Sequence, residues 1–199
     1  TTHFHPQGFK IESLSLHPEV LMLRIPGIGK RWAERIGEMR RLALWAVAMR
    51  AESEGRVRPP MTTMNRWLGP RISFRYSLKD ARVMLNGVKA LGTMFFAAGA
   101  EVVYPGIYGL PEEMRGPKDL ESIDSVSPDP RRFVALTTHL FSTCRMGAGP
   151  HSSVVGPNFE CHEMPGLFIT DGSVLPSNTG VNPQLTIMAF SAIAAELLS

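Results

Sequence analysis

The sequence predicts an α+β fold in which a small antiparallel sheet packs against helices. Two stretches, Phe9 to Leu16 and Arg71 to Tyr76, alternate apolar and polar residues, which is typical of half-buried strands. After Ser77 the apolar residues recur at helical spacing, and a second helix is predicted to follow Asn182-Pro183. The length of 199 residues suffices for one large domain or two small lobes around a shared core.

The first half of the chain contains two further predicted elements. Trp32, Ile36 and Met39 recur at helical spacing, so a short helix is expected within 29–39. The apolar run from Leu42 to Met49 is followed by a turn containing Gly55. We therefore expect a hairpin around Ala51–Gly55 with Leu42–Arg50 as one arm, although eight apolar residues are also compatible with a helix.

The clearest predicted element is a helix that begins after Ser77. Ser77 and Asp80 have the spacing of a capping box, and Gly99 is a typical C-terminal stop. One helical face carries the apolar residues Ala81, Met84, Leu85, Val88, Leu91, Phe95 and Ala98. Further elements are expected as follows: a strand at 100–104, a long loop at 105–131, a short strand at 167–170, and a final helix at 184–198. The Asn182 side chain is expected to cap this last helix, with Pro183 in its first turn.

Composition and charge exclude several classes of protein. Hydrophobic residues make up 44% and charged residues 20%, which is ordinary for a globular chain, and no apolar run approaches the roughly 20 residues of a transmembrane helix. Residues 1–75 carry 13 Lys and Arg against 6 Asp and Glu, whereas residues 76–199 carry 8 against 12. Because these arginines are scattered and form no RNA-binding motif, we expect no nucleic-acid partner.

The cysteines and histidines allow two alternative chemistries. The potential metal ligands Cys144, His151, Cys161 and His162, with His139 nearby, lack the short paired spacing of zinc sites, so no metal is expected. Cys144 could act as a nucleophile beside His139, but nothing in the sequence orients the imidazole. Two cysteines also favour a reduced, cytoplasmic protein over a disulfide scaffold, although the two could pair.

One apparent nucleotide motif is incomplete. Gly27 and Gly29 match the first two glycines of the GxGxxG fingerprint, but Trp32 stands where the third glycine is needed for close helix packing. The chain alone is therefore not expected to hold a nicotinamide or flavin cofactor by the usual route.

His139 and Asn182 form the remaining candidate pair. Both lie in turn-rich segments, where catalytic groups are often positioned. A histidine can accept a proton near neutral pH, and an asparagine can bind a substrate hydroxyl while capping a helix whose N-terminus stabilises negative charge. From the residues alone, a structural histidine and an ordinary N-cap asparagine remain the alternative.

Three ordered motifs within about sixty residues resemble one family. The segment from His139 to Gly147 (HLFSTCRMG) is similar to the H-x-x-G-T-x-R-M-G signature of the glucose–methanol–choline (GMC) family of flavin-dependent oxidoreductases. The similarity continues through Ser153-Val154-Val155, then from Gly166 to Pro176 (GLFITDGSVLP), and ends with residues 180–187 (GVNPQLTI). Residues 1–135 resemble the family's substrate-binding portion only loosely.

The resemblance implies a role for each matched residue. His139 and Asn182 correspond to the active-site pair, with asparagine as in the cholesterol- and choline-type members. Asp171 and Gly172 correspond to the turn beside the FAD phosphates and ribityl chain, and we expect the Asp171 side chain to bind backbone N–H groups of that turn. Pro183 and Gln184 correspond to the start of the helix that faces the flavin pyrimidine.

By this resemblance the chain is the C-terminal portion of an enzyme that oxidises an alcohol by hydride transfer to FAD. Residues 1–135 would be a substrate-binding portion, and residues 136–199 would complete a Rossmann-type FAD domain whose N-terminal half is supplied in trans. The substrate would be a small-molecule alcohol. The eleven methionines are compatible with a bulky apolar one, such as a sterol or long-chain alcohol, but core packing is the favoured interpretation of these residues. The alternative is a non-catalytic accessory or binding subunit with the family fold. Ser142 departs from the signature, which has glycine at that position.

Overall fold

The protein is described by a computed structural model covering residues 2–15, 17–60 and 69–198. It divides into two compact units. The first unit comprises Thr1–Ser53 and Tyr76–Ala135, and the second comprises Glu54–Arg75 and Leu136–Ser199. Helices and small antiparallel sheets occur together, so the α+β prediction is confirmed.

The sheet of the first unit joins two strands that are distant in the sequence. Strand β1 (Phe9–Ser13) pairs antiparallel with β2 (Trp45–Met49). The strand predicted to reach Leu16 therefore ends at Ser13, and Leu16 itself lies outside the described residues. Helices α1 (Pro18–Met22) and α2 (Lys30–Gly37) lie between the strands, and α2 confirms the helix predicted within 29–39.

The predicted hairpin around Ala51–Gly55 is wrong. Its expected arm contains β2, but the partner of β2 is β1 rather than a strand after Gly55. Hydrogen bonds explain the difference, because the Asp80 carboxylate accepts from the Glu52 N–H at 3.1 Å and from the Ser53 hydroxyl. These bonds hold the residues after β2 at the start of the next helix and prevent the chain from turning back along β2.

A second small sheet lies in the second unit. Strand β3 (Arg56–Arg58) pairs antiparallel with β4 (Arg71–Ser73). The strand predicted for residues 71–76 is thus confirmed over its first three residues.

Helix α3 (Leu78–Ala97) organises the core of the first unit. The predicted capping box is present: Ser77 Oγ accepts from the Asp80 N–H, and the Asp80 carboxylate accepts from the Ser77 N–H. Gly99 adopts φ +90°, a left-handed conformation that ends the helix as predicted. The side chains buried in this core are Leu85, Val103, Ile107, Met114, Leu120, Ile123 and Val126.

Two predictions for residues 100–131 need correction. The expected strand at 100–104 is reduced to a single bridge between Val103 and Met114, because Pro105 has no N–H with which to continue a ladder. The expected loop contains 3-10 helices at Pro117–Ser125 and Pro130–Arg132, each with proline in its first turn.

The second unit is mostly irregular and ends in helix α4 (Gln184–Leu198), at the predicted bounds. Its core consists of Val155, Phe159, Val174 and Ala194. The strand predicted at 167–170 is reduced to one bridge between Glu160 and Phe168, because left-handed Gly166 and the turn at Asp171 leave little extended backbone between them. None of the described helices is both long enough and apolar enough to span a membrane.

Candidate active site

His139 lies on an exposed, irregular segment of the second unit, three residues before a loop that is fixed by hydrogen bonds. Residues 142–146 run alongside residues 173–175. Ser142 Oγ donates to the Leu175 carbonyl at 3.0 Å, the Cys144 N–H to the Ser173 carbonyl at 3.1 Å, and the Met146 N–H to the Val174 carbonyl at 2.8 Å. The loop that carries His139 is therefore attached to the turn that follows Asp171.

That turn is stabilised by Asp171 itself. Residues Gly172–Val174 form a 3-10 helix, and Asp171 Oδ1 accepts a hydrogen bond from the Ser173 N–H at 2.7 Å. The prediction that the Asp171 carboxylate binds the backbone of its own turn is confirmed. One of the two carboxylate oxygens of Asp171 is thus engaged within the turn.

Gly172 lies where three segments converge. A Cβ atom placed on Gly172 would lie 3.3 Å from the Leu140 carbonyl oxygen and 3.3 Å from Ile187 Cδ1. Leu140 follows His139 directly, and Ile187 belongs to the first turn of α4, where its N–H donates to the Pro183 carbonyl at 2.9 Å. The structure thus brings the His139 loop, the Asp171-Gly172 turn and the start of α4 into one neighbourhood.

The start of α4 presents polar residues to solvent. Asn182 and Gln184 are exposed, whereas Pro183 between them is buried. The first N–H groups of an α-helix have no acceptor within the helix and carry partial positive charge. A helix start with exposed flanking side chains can therefore bind an anionic or hydrogen-bond-accepting group.

The alternative metal and thiol chemistries gain no geometric support. His162 Nε2 lies 3.0 Å from Ser153 Oγ, whose hydroxyl also donates to the Gly149 carbonyl at 2.6 Å. Within residues 2–15, 17–60 and 69–198, no group of three His, Cys, Asp or Glu side chains is arranged to hold a metal ion. Cys144 is half-buried and free, and the Ser173 carbonyl accepts its N–H.

The first unit contains an open cavity of about 840 Å³. Strand β2 and helix α3 line part of it, through Trp45, Val88 and Phe95 among others. Phe9 and Ile11 of β1 are packed in the core. Arginine and glutamate side chains also line the cavity, so its wall combines apolar and charged residues.

Sequence reasoning missed a charged cluster in that wall. Arg35 is 5% exposed, contacts Glu112 and Glu113, and places its guanidinium 4.8 Å from the centre of the Tyr104 ring. Burial lowers the pKa of Arg35, but the hydrogen bonds to both glutamates outweigh it and raise the pKa overall. Hydrogen bonds from Arg35 and Arg115 lower the pKa of Glu113 to about 2. The sequence signal that could have indicated this cluster is the pair of adjacent glutamates together with Arg31 and Arg35, which are four residues apart and so share one helix face.

Comparison with known proteins identifies the family to which this chain is similar. The model of the family described as GMC oxidoreductase matches residues 51–191. An uncharacterized GMC-type oxidoreductase of Sinorhizobium fredii is 35% identical over 64% of this chain and 25% of its own length. An uncharacterized GMC-type oxidoreductase of Mycobacterium tuberculosis is 28% identical over 97% of this chain and 30% of its own length. A long-chain-alcohol oxidase of Arabidopsis thaliana is 30% identical over 60% of this chain and 18% of its own length.

The chain spans less than a third of the length of these relatives. The family match covers most of the chain and includes all the segments that converge at Gly172. The chain belongs to the GMC oxidoreductase family and corresponds to the C-terminal portion of its members.

Proposed function

We propose that this chain is the C-terminal portion of a flavin-dependent oxidoreductase that oxidises an alcohol to a carbonyl compound. The observation that carries the proposal is the convergence at Gly172, where the Leu140 carbonyl and Ile187 meet. Because of this convergence, the loop that carries His139 and the helix that begins beside Asn182 both contact the turn at Gly172. By the resemblance of the sequence motifs, those two residues correspond to the active-site pair of the family.

The residues around this turn are suited to FAD. Gly172 adds no side chain to the turn, and Asp171 Oδ1 accepts a hydrogen bond from the Ser173 N–H. We propose that Asp171 and Gly172 hold the phosphate and ribityl portion. Pro183 and Gln184 would hold the ring portion, because a helix start stabilises negative charge. FAD, when bound, supplies the acceptor for the hydride.

The protein side chains would manage the hydroxyl group of the substrate. The alcohol loses a hydride from carbon and a proton from oxygen, so catalysis requires a base at the hydroxyl. His139 accepts that proton or holds the hydroxyl by a hydrogen bond, and the Asn182 amide shares the contact. Both residues are exposed in this chain, which leaves them accessible to a substrate.

The substrate class is that of alcohols. The name of the Arabidopsis relative supports a long-chain alcohol as one member of that class. We therefore propose an alcohol as the substrate and name no narrower class.

We propose that the partner of this chain is the N-terminal Rossmann half of the enzyme, supplied in trans. Helix α4 exposes large apolar side chains to an unusual extent: Leu185 is 80% exposed, and Met188 and Leu197 are each 60% exposed. Large exposed apolar patches mark interaction surfaces. The match covers only 25% of the Sinorhizobium relative and 30% of the Mycobacterium relative, so the rest of such a protein would be large enough to cover that surface.

The experiment is to titrate FAD into the chain alone and into a co-expressed complex with the N-terminal half. The complex should be yellow and should bleach under anaerobic conditions when an alcohol is added, whereas the chain alone should bind FAD weakly. A yellow complex that no alcohol from a broad panel bleaches would favour the accessory subunit. An activity that is lost on cysteine alkylation and needs no flavin would favour the Cys144 thiol mechanism.

A further inference from the structure

Ser142 adopts a backbone conformation that serine rarely adopts. Its φ is +69°, and Phe159 is the other residue besides glycine with positive φ in the part of the chain that the structure describes. In the left-handed region the Cβ atom crowds the following carbonyl oxygen, which is why glycine usually occupies such positions. The backbone at Ser142 is therefore held in place by its surroundings.

A side-chain hydrogen bond accounts for this. Ser142 Oγ donates to the Leu175 carbonyl at 3.0 Å, and Leu175 is 5% exposed. A carbonyl buried at that depth loses stability if it has no donor. The hydroxyl thus compensates for the unfavourable backbone conformation and links the loop to the turn containing Gly172.

The link lies close to His139. Leu140, which follows His139 directly, places its carbonyl oxygen beside Gly172, and Ser142 comes two residues later. The backbone bonds from Cys144 to Ser173 and from Met146 to Val174 continue the attachment. If Ser142 left its conformation, the short segment back to His139 would no longer be directed onto the turn.

We propose that Ser142 is a positioning residue that directs His139 through its left-handed backbone and its bond to Leu175. This inference rests on the proposed function, because it assumes that His139 acts on the substrate. It also explains why the family signature can have glycine at this position: glycine adopts the conformation without strain, whereas serine adopts it with the help of its hydroxyl.

Two substitutions separate the backbone from the hydroxyl. Ser142→Ala keeps the crowded Cβ and removes the hydrogen bond, whereas Ser142→Gly removes both the bond and the crowding. In the FAD-bound complex we expect Ser142→Ala to slow flavin reduction by about tenfold or more, with FAD content unchanged, and Ser142→Gly to stay within about threefold of the parent. Rescue by glycine, which carries no hydroxyl, would assign the effect to backbone placement.

A double-mutant cycle tests whether the effect passes through His139. In a His139→Ala background, Ser142→Ala should slow flavin reduction no further, because the group that it positions is gone. A purely structural role would slow both backgrounds equally and would overturn the inference. So would a Ser142→Ala variant that reduces flavin at the parent rate.

A second readout needs no activity. In Ser142→Ala the amide hydrogens of Cys144 and Met146 should exchange about tenfold faster than in the parent, and Ser142→Gly should lie between. Unchanged exchange in Ser142→Ala would overturn the inference. If His139→Ala alone leaves flavin reduction unaffected, the proposed function fails; if His139→Ala is slow but Ser142→Ala is not, the inference alone fails.

Discussion

Replacing the buried Arg35 by alanine should destabilise the first unit more than replacing Arg31, which contacts the same two glutamates. The guanidinium donates to the Pro26 carbonyl and to Glu113, binds Glu112 at 3.2 Å, and lies 4.8 Å from the centre of the Tyr104 ring. Arg35→Ala removes all of these contacts at a side chain that is only 6% exposed.

The size of the effect follows from the burial of each partner. Removing one member of a fully buried ion pair costs about 3–5 kcal/mol. Here the Glu112 and Glu113 side chains are 35% and 18% exposed and keep contacts with Arg31 and Arg115, so water and the remaining arginines compensate in part. We expect a loss of about 2–3 kcal/mol in the free energy of unfolding.

Arg31→Ala is the matched control. Arg31 contacts the same two glutamates, but its side chain is 59% exposed, so its removal should cost about 0–1 kcal/mol. Urea unfolding followed by circular dichroism gives both values, and hydrogen exchange of the peptides containing Pro26 and Tyr104 localises the change. Equal losses for the two variants would refute the reasoning that burial, and not charge pairing alone, makes Arg35 important.

The same cluster should respond to acid. The pKa of Glu113 is lowered from 4.5 to about 2, mainly by hydrogen bonds from Arg35 and then Arg115. A lowered carboxyl pKa contributes stability that is fully present above the ordinary value and is lost as the pH falls toward the lowered one. The difference in unfolding free energy between the parent and Arg35→Ala should therefore shrink between about pH 4.5 and pH 2. A difference that stays constant over this range would contradict the assignment.

Three further predictions concern other positions. Burial raises the pKa of Asp80, but hydrogen bonds from Ser53, the Glu52 N–H and Ser77 outweigh it and lower the pKa overall. Asp80→Asn should therefore destabilise the protein at neutral pH, and urea titrations should show this effect fading as the pH drops below 3.8. Gly87→Ala would force a Cβ into Val47 and should cost about 1–3 kcal/mol in the same assay, whereas Gly37→Ala, with open space around it, should be neutral or slightly stabilising. In the flavin complex, Asp171→Ala should lower FAD retention, measured by absorbance after gel filtration, more than it lowers turnover of the flavin that remains; equal retention in parent and variant would contradict the role of this turn.

Local signals in the sequence predicted the elements that are determined locally. The capping box at Ser77 and Asp80, the stop at Gly99 and the helix after Pro183 each depend on a few neighbouring residues, and the structure has them at the predicted places. The Asp171 turn is also local, because the side chain binds an N–H two residues away.

The errors involve partners that are distant in the sequence. Periodicity within Leu42–Arg50 cannot show that β2 pairs with β1, because the partner strand Phe9–Ser13 is distant in the sequence. Residues 100–104 have the composition of a strand but meet their partner only at Val103 and Met114.

Two features depend on three-dimensional contacts that local sequence patterns do not reveal. The burial of Arg35 follows from the placement of Glu112 and Glu113, which are far away in the chain. The departure at Ser142 was visible as a mismatch with the family signature, but its meaning came from its φ of +69° and its bond to Leu175. The roles of His139 and Asn182 remain predictions from the resemblance.

The most direct test of the central claim is the rate of flavin reduction in His139→Ala, measured by anaerobic stopped-flow on the FAD-bound complex. A positioned base contributes roughly 100- to 10,000-fold, so the variant should bleach at least about a hundredfold more slowly than the parent while retaining its FAD. Asn182→Ala serves less well, because it would also remove the helix cap that the sequence predicts at this residue, and a lost cap costs about 1 kcal/mol of stability. If His139→Ala reduces its flavin at the parent rate with a slow alcohol substrate, His139 is structural and the proposed chemistry is wrong.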